Sequence, residues 1–211
     1  MKKLLTEFLG TFFLVLIIGL AVTGGVAMPP IAIGVGLTVL VYMGGHISGA
    51  HYNPAVSLAA MLRGKMPSAD LVPYVVAQLL GSLAAAAMVH VIVGQTFAPA
   101  PAVGGGLLTP LLVEVLFTFL LVLVILNVAT HPATKGNSYY GLAIGGTVMA
   151  AAFVGGGISG GAFNPAVGIG PIVVHAVAGG GGFSNLWLYI VGPVVGAVLA
   201  AVVFGVQERP E

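Results

Sequence analysis

The chain holds no cysteine among its 211 residues, which excludes disulfide staples and thiolate metal sites. Charge is almost as scarce: six lysines and arginines stand against five acids, and the net charge is +1. A near-neutral chain with no basic stripe lacks the electrostatic footprint of a nucleic-acid partner. The five histidines fall without ligand spacing, so neither a metal nor another cofactor is expected. No nucleophile with a neighbouring base and no phosphate-binding loop is found, which argues against an enzyme. What is abundant is apolar. Hydrophobic residues make up 59% of the chain, and the mean hydropathy of +1.15 lies outside the range of soluble domains.

Apolar runs long enough for a hydrocarbon core of ~30 Å recur near Leu4 to Thr23, Ile31 to Gly45, Leu71 to Val93, Leu111 to Ala129, Tyr139 to Val154 and Leu186 to Val206. Six spans in an all-α membrane protein are predicted. The opening Met-Lys-Lys-Leu-Leu resembles the front of a signal peptide, but the run is long for one and Glu7 interrupts it. Lysine and arginine remain in cytoplasmic loops. With the N-terminus inside, Lys2, Lys3, Arg63, Lys65, Lys135 and Arg209 all fall on that side, and the outer connections carry no charge. A multi-pass protein of the cytoplasmic (inner) cell membrane, with both termini cytoplasmic, is the expectation.

Sliding the sequence by 111 positions aligns Ala32 to Val56 with Ala143 to Val167 without a gap, and twelve of the twenty-five pairs are identical. Weaker echoes pair Thr11 to Leu16 with Thr118 to Leu123, and Tyr74 to Gly81 with Tyr189 to Gly196. Each half is one unit of three spans, about 1–96 and 110–211, in a single membrane domain covering 1–211. Three is odd, so the second copy enters the bilayer from the opposite side, and an axis in the membrane plane relates the two. The Pro- and Gly-rich stretch 97–109 reads as an external linker without helical pattern.

Each repeat ends in Gly-rich backbone followed by Asn-Pro-Ala: Asn53, Pro54, Ala55 and Asn164, Pro165, Ala166. Asparagine is a favoured N-cap and proline suits the first helical position. The apolar residues that follow supply helices of about two to three turns, too short to span. Irregular backbone leading into a short helix is tolerated at membrane depth only inside protein or beside a water-filled cavity. Two such helices of opposite orientation would meet at the midplane, setting two positive dipole ends and two asparagine amides at the centre of a path. That arrangement repels cations and protons and admits neutral hydrogen-bonding solutes. One such box alone would be an ordinary capped helix; two in register across an inverted repeat point to a pore. Gly49, Ala50 and His51, with Gly160, Gly161 and Ala162, lack bulk to shield their carbonyls, and extended backbone there would offer a ladder of acceptors.

Glu7 and Glu114 are the acids expected inside the spans, each four positions before a threonine of the flanking echo. A carboxylate in lipid is costly, so each is expected to accept hydrogen bonds from the amides of a Gly-rich loop, with a proton relay as the alternative. His90, His131 and His175 read as ordinary packed or surface histidines, whereas His46 and His51 are set in the first Gly-rich loop. The small residues Gly81 to Ala87 and Gly192 to Ala201 suggest close helix packing.

These residues resemble the aquaporin and glycerol-channel family, the major intrinsic proteins, over essentially the whole chain: six spans, Gly45 to Val56, Gly160 to Val167, and a glutamate opening each repeat. The resemblance implies a right-handed bundle with the half-helices meeting in the pore, and a homotetramer with one pore per subunit in membrane lipid. It also implies a filter at Ile33, Ala152, Gly161 and Val167, with Val35 the alternative to Ile33 if the Gly36 to Leu40 segment is matched instead. Most family members have arginine where this chain has Val167. A water-selective filter pairs that arginine with a histidine and an aromatic ring, and all three are missing. The expected constriction is wide, apolar and uncharged, passing water with a small neutral solute such as glycerol, urea, ammonia or a neutral metalloid acid, unless dewetting slows the water. Secondary transporters also use inverted repeats and broken helices. Such a reading needs coupling through Glu7 or Glu114.

Overall fold

The computed structural model describes residues 1–104 and 106–208. Arg209, assigned above to the cytoplasmic side, and Gly105 of the linker lie outside the described residues. Eight α-helices follow one another, with no strand among the described residues: α1 (Lys2–Thr23), α2 (Pro29–Ser48), α3 (Pro54–Leu62), α4 (Ser68–Val93), α5 (Leu108–Ile125), α6 (Tyr140–Ser159), α7 (Pro165–Val177) and α8 (Leu188–Gln207). A wider turn of π type, Leu126–Thr130, extends α5 into a span of 23 residues. Six helices are therefore long and apolar enough to cross a membrane. At ~1.5 Å per residue, 20 residues cover the ~30 Å hydrocarbon core. α3 and α7, of 9 and 13 residues, are the short ones, and α7 runs a turn further than its sequence suggested. The linker also begins its helix early, since Leu108 and Thr109 already belong to α5.

Large apolar side chains such as Val35, Leu80, Val91, Leu116, Leu142 and Val202 stand exposed around the outside of the bundle. An apolar exterior of this kind suits lipid rather than water. Hydrophobic burial cannot drive helix association in lipid, so close backbone approach must supply the packing. Glycine provides it at equivalent points of the two halves. A Cβ at Gly81 of α4 would run into the Phe8 carbonyl of α1, and a Cβ at Gly196 of α8 would run into the Val115 carbonyl of α5. α1 thus lies against α4 as α5 lies against α8. Between the halves, α2 packs along α6. There Gly34 and Gly145, partners at the 111-residue offset, each face the other's carbonyl. A contact between equivalent residues is what a two-fold relation produces. The inverted three-plus-three repeat is thereby built around its own axis.

At one end of the bundle the Arg63 guanidinium pairs with Glu208 and lies 4.9 Å from the Phe204 ring centroid, tying the exit of α3 to the end of α8.

The α2–α6 crossing yields a prediction. Gly145→Ala should lower the thermal midpoint of the purified protein in detergent, because the added carbon has no space and overpacking costs about 1–3 kcal/mol. Gly146→Ala, whose new carbon would meet nothing within 4 Å, should leave the midpoint unchanged or raise it slightly, as alanine is the better helix former.

Candidate pore and its supporting carboxylates

Two loops of equal design lead into the short helices. α2 and α6 both end on a left-handed glycine, Gly49 at φ 92° and Gly160 at φ 93°. Further positive φ values follow at Ala50 and Gly161 and again at Tyr52 and Phe163, at 50° and 49°. The loops are therefore not the extended backbone inferred from the glycines; they fold back through left-handed residues. Such a conformation is strained for non-glycine residues, at about 1–3 kcal/mol each, and persists only where surrounding contacts over-determine it.

The contacts come from the two glutamates, both 0% exposed. Glu7 Oε1 accepts from Ser48 Oγ at 2.6 Å and His51 N at 3.0 Å, and its Oε2 accepts from Tyr52 N at 2.7 Å and Gln78 Nε2 at 2.8 Å. Glu114 Oε1 accepts from Ser159 Oγ at 2.7 Å and Ala162 N at 3.0 Å, and its Oε2 from Phe163 N at 2.7 Å. Tyr74 and Tyr189, also equivalent, donate their hydroxyls to the Ser48 and Ser159 carbonyls at 2.9 and 2.6 Å. With the amides turned inward to the carboxylates, the carbonyls of residues 49–51 and 160–162 accept no protein hydrogen bond among the described residues.

Asn53 and Asn164 cap α3 and α7: each side-chain oxygen accepts from the alanine N–H two residues on, at 2.9 Å. Proline follows at the first helical position. Each amide nitrogen then crosses to the other half. Asn53 Nδ2 donates to the Phe163 carbonyl at 3.0 Å, and Asn164 Nδ2 donates to the Tyr52 carbonyl at 2.9 Å. An asparagine NH2 carries two hydrogens, so one per residue remains for another acceptor. Each asparagine therefore keeps one amide hydrogen, and the two donors inferred from the sequence remain, one from each half. The asparagines are 3% and 5% exposed, and that remaining surface borders a cavity.

The cavity has a volume of about 450 Å³ and brings together both asparagines, Ala50, His51, Gly160, Gly161 and Ala162 with Ile33, Ala152 and Val167. Of the two registers for the second span, Ile33 faces this cavity, whereas Val35 is 53% exposed on the outside of the bundle. A second cavity of about 830 Å³ opens toward the other end, lined by Gly49, Lys3, Lys65 and Lys135 among others. The two share Ala50, His51, Val56, Ile125 and Ile144 in their walls. Pro54, Ala55, Pro165 and Ala166 line neither. The two alanines are fully buried, and Ser82 Oγ donates to the Ala166 carbonyl at 2.6 Å. These four residues start and seat the short helices.

Several participants were not read from the sequence. Phe97 to Ala100 form part of the first cavity's wall, so the linker is not merely a connection. Ala102 N holds it to the Ile158 carbonyl at the end of α6. Ser48 with Ser159, and Tyr74 with Tyr189, carried a usable signal as polar residues matched across the repeat inside apolar spans. His46 belongs to the last turn of α2, not to the loop.

Comparison with known proteins agrees with this architecture. The family model described as major intrinsic protein matches residues 1–204. A glycerol uptake facilitator protein-like 6 of Lactiplantibacillus plantarum is 40% identical over 215 residues, covering 95% of each chain. Nodulin-26 of Glycine max is 37% identical over 218 residues, covering 98% of this chain and 78% of that one. The solved structure of an aquaglyceroporin from Plasmodium falciparum shares the fold, with a TM-score of 0.84, 23% identity, and coverage of 96% and 94%.

The carboxylate clamps should be essential to the loops. In Glu114→Gln, one oxygen becomes an NH2 directed at the Phe163 N–H or at its neighbours, leaving a buried donor without an acceptor at a cost of about 1–3 kcal/mol. The expected result is faster amide exchange at Ala162 and Phe163 and a lower thermal midpoint. Unchanged exchange at both amides would refute the clamp.

Proposed function

The chain belongs to the major intrinsic protein family, and from that membership together with the paired cavities we propose how it conducts and what it selects. It is a multi-pass membrane channel, not an enzyme, and it passes water and small uncharged solutes. The reading of the site rests on one observation: the two asparagine amides cross between the halves at the wall of a single cavity. Asn53 and Asn164 form the pore centre, where the N-terminal ends of α3 and α7 give two positive dipole ends that disfavour cations and protons. The free carbonyls of Gly49, Ala50 and His51 and of Gly160, Gly161 and Ala162 accept hydrogen bonds from solute in file.

Ile33, Ala152, Gly161 and Val167 form the filter. Their side chains offer no charge and no hydrogen bond, so desolvation there is offset only by backbone, and a solute with an apolar edge gains contact that water does not. Glycerol, urea, ammonia or a neutral metalloid acid fits that description. A lipid setting is supported by the apolar exterior, and cytoplasmic termini by Lys3, Lys65 and Lys135 sharing one cavity; the homotetramer is proposed from the family resemblance alone. The reading of one channel domain, with repeats of about 1–96 and 110–211 joined by 97–109, is supported by the matched loops and crossings. Transport coupled through Glu7 or Glu114 is not favoured, since both carboxylates are committed to loop amides and serine hydroxyls.

Stopped-flow swelling of proteoliposomes tests this, first with sorbitol as osmolyte for water and then with each candidate solute. Flux should be linear in concentration and independent of proton or sodium gradients. Val167→Arg should cut solute flux about tenfold, equivalent to ~1.4 kcal/mol of added barrier, while water continues to pass. Undiminished solute flux in that variant would remove Val167 from the filter.

A further inference from the structure

The two half-helices are unequal in length. α3 stops at Leu62, whereas α7 continues to Val177 and carries His175 in its last turn. At the 111-residue offset the equivalent of His175 is Gly64, a left-handed residue already past the end of α3. What the extra turn of α7 reaches is the linker. Thr96 Oγ1 lies 2.7 Å from His175 Nδ1, and both residues are half-buried. Thr96 can donate to a bare Nδ1 or accept from a protonated one, so this bond does not depend on the tautomer. The ring is packed as well: a Cβ at Gly180 would collide with it and one at Gly181 would crowd it.

From Thr96 the chain crosses the first cavity. Phe97, Ala98, Pro99 and Ala100 stand in its wall, beside Ile33 and Val167. Beyond them the Ala102 amide donates to the Ile158 carbonyl at 3.0 Å. Among the described residues these two hydrogen bonds, one at each end, tie the linker to other elements. Pro99 and Pro101 have no N–H to offer, and Ile33, Ala152, Gly161 and Val167 have no polar side-chain atom with which to hold the segment. Close packing does the rest. Phe97 fills the notch at Gly19, and Ala100 comes so near Gly160 that a Cβ there would meet its amide nitrogen. The segment is a strap, bonded at both ends and only packed between them.

We propose, on the channel reading above, that Phe97 to Ala100 set the width of the opening together with the filter, and that His175, acting through Thr96, is the positioning residue that holds them there. α7 carries Asn164 at its N-cap, Val167 in its first turn and His175 in its last. One helix thus places the pore centre, the filter and the strap relative to one another. With the Thr96 end released, the strap can swing at Gly94, which closes α4 in the left-handed conformation at φ 72°. The opening then admits molecules larger than glycerol.

Swelling of proteoliposomes holding the full chain, with glycerol and then the longer polyol erythritol, tests this. Thr96→Val and His175→Phe keep the bulk and lose the bond. Both should raise erythritol flux relative to glycerol about two- to tenfold, the factor that one neutral hydrogen bond commands. Thr96→Ser keeps the hydroxyl, and the His175→Asn amide reaches the place of Nδ1, so both should stay near the wild-type ratio. Thr96→Val combined with His175→Phe should shift the ratio no further than either alone. An unchanged ratio in both bond-deleting variants, or an equal shift in His175→Asn and His175→Phe, overturns the proposal. A wild-type chain that passes nothing above bare lipid overturns the channel reading instead. Hydrogen exchange at the Ala102 amide then decides the strap: faster exchange in Thr96→Val than in Thr96→Ser supports it, and equal rates remove it.

Discussion

Everything at the centre of this protein depends on two carboxylates that are entirely withdrawn from solvent. Glu7 and Glu114 sit among apolar helices, where an ion without partners would be too costly to keep. Each is kept because a strained loop needs acceptors at that spot. The loops in turn hold left-handed residues, Tyr52 and Phe163 among them, that would relax if their amides were released. Carboxylate and strain are thus each unfavourable alone and stable together. With the amides bound inside, the loop carbonyls at 50–51 and 160–162 are left without protein donors among the described residues, and these residues line the cavity.

The pairing of the asparagines extends this logic across the two-fold axis. The Asn53 and Asn164 nitrogens donate to carbonyls of the opposite loop, so neither half can complete its own centre. A half expressed by itself would bury an amide and a carbonyl without partners. The glycine contact between Gly34 and Gly145 works in the same direction, since it brings the two halves close enough for those hydrogen bonds to form. Symmetry here is energetic as well as descriptive.

Much of this was legible in the residues because it is periodic or duplicated. The spans show in hydropathy, the inversion in an odd number of spans per repeat, and the short helices in an asparagine cap followed by proline. The glutamates were legible as paired acids in apolar surroundings. Other parts were not, for identifiable reasons. Glycine content does not separate an extended loop from one folded through left-handed residues, because glycine permits both. An asparagine in a sequence does not reveal how many of its hydrogens are already committed. Phe97 to Ala100 belong to a stretch with no period, so nothing marked it as cavity wall. The second-span filter register stayed open between Ile33 and Val35 because a two-residue shift on a helix turns a side chain about 200° from pore to lipid.

The proposed filter and the loop backbone behind it would act on different properties of a solute. In the proposed filter, Ile33, Ala152, Gly161 and Val167, which line the first cavity, would discriminate by width and by the cost of removing water, with little demand on where hydrogen bonds lie. Deeper in, on the same proposal, the unpartnered carbonyls and the two half-occupied asparagine amides would offer an ordered set of acceptors and donors. A permissive apolar ring placed in series with a demanding polar track favours molecules with one apolar and one hydrogen-bonding edge, because only these meet little resistance at both. Water satisfies the second stage and gains nothing at the first. Valine in place of a fixed positive charge at position 167 would therefore do more than widen an opening. On that reading part of the selection moves inward, to loop backbone held in place by the two buried carboxylates.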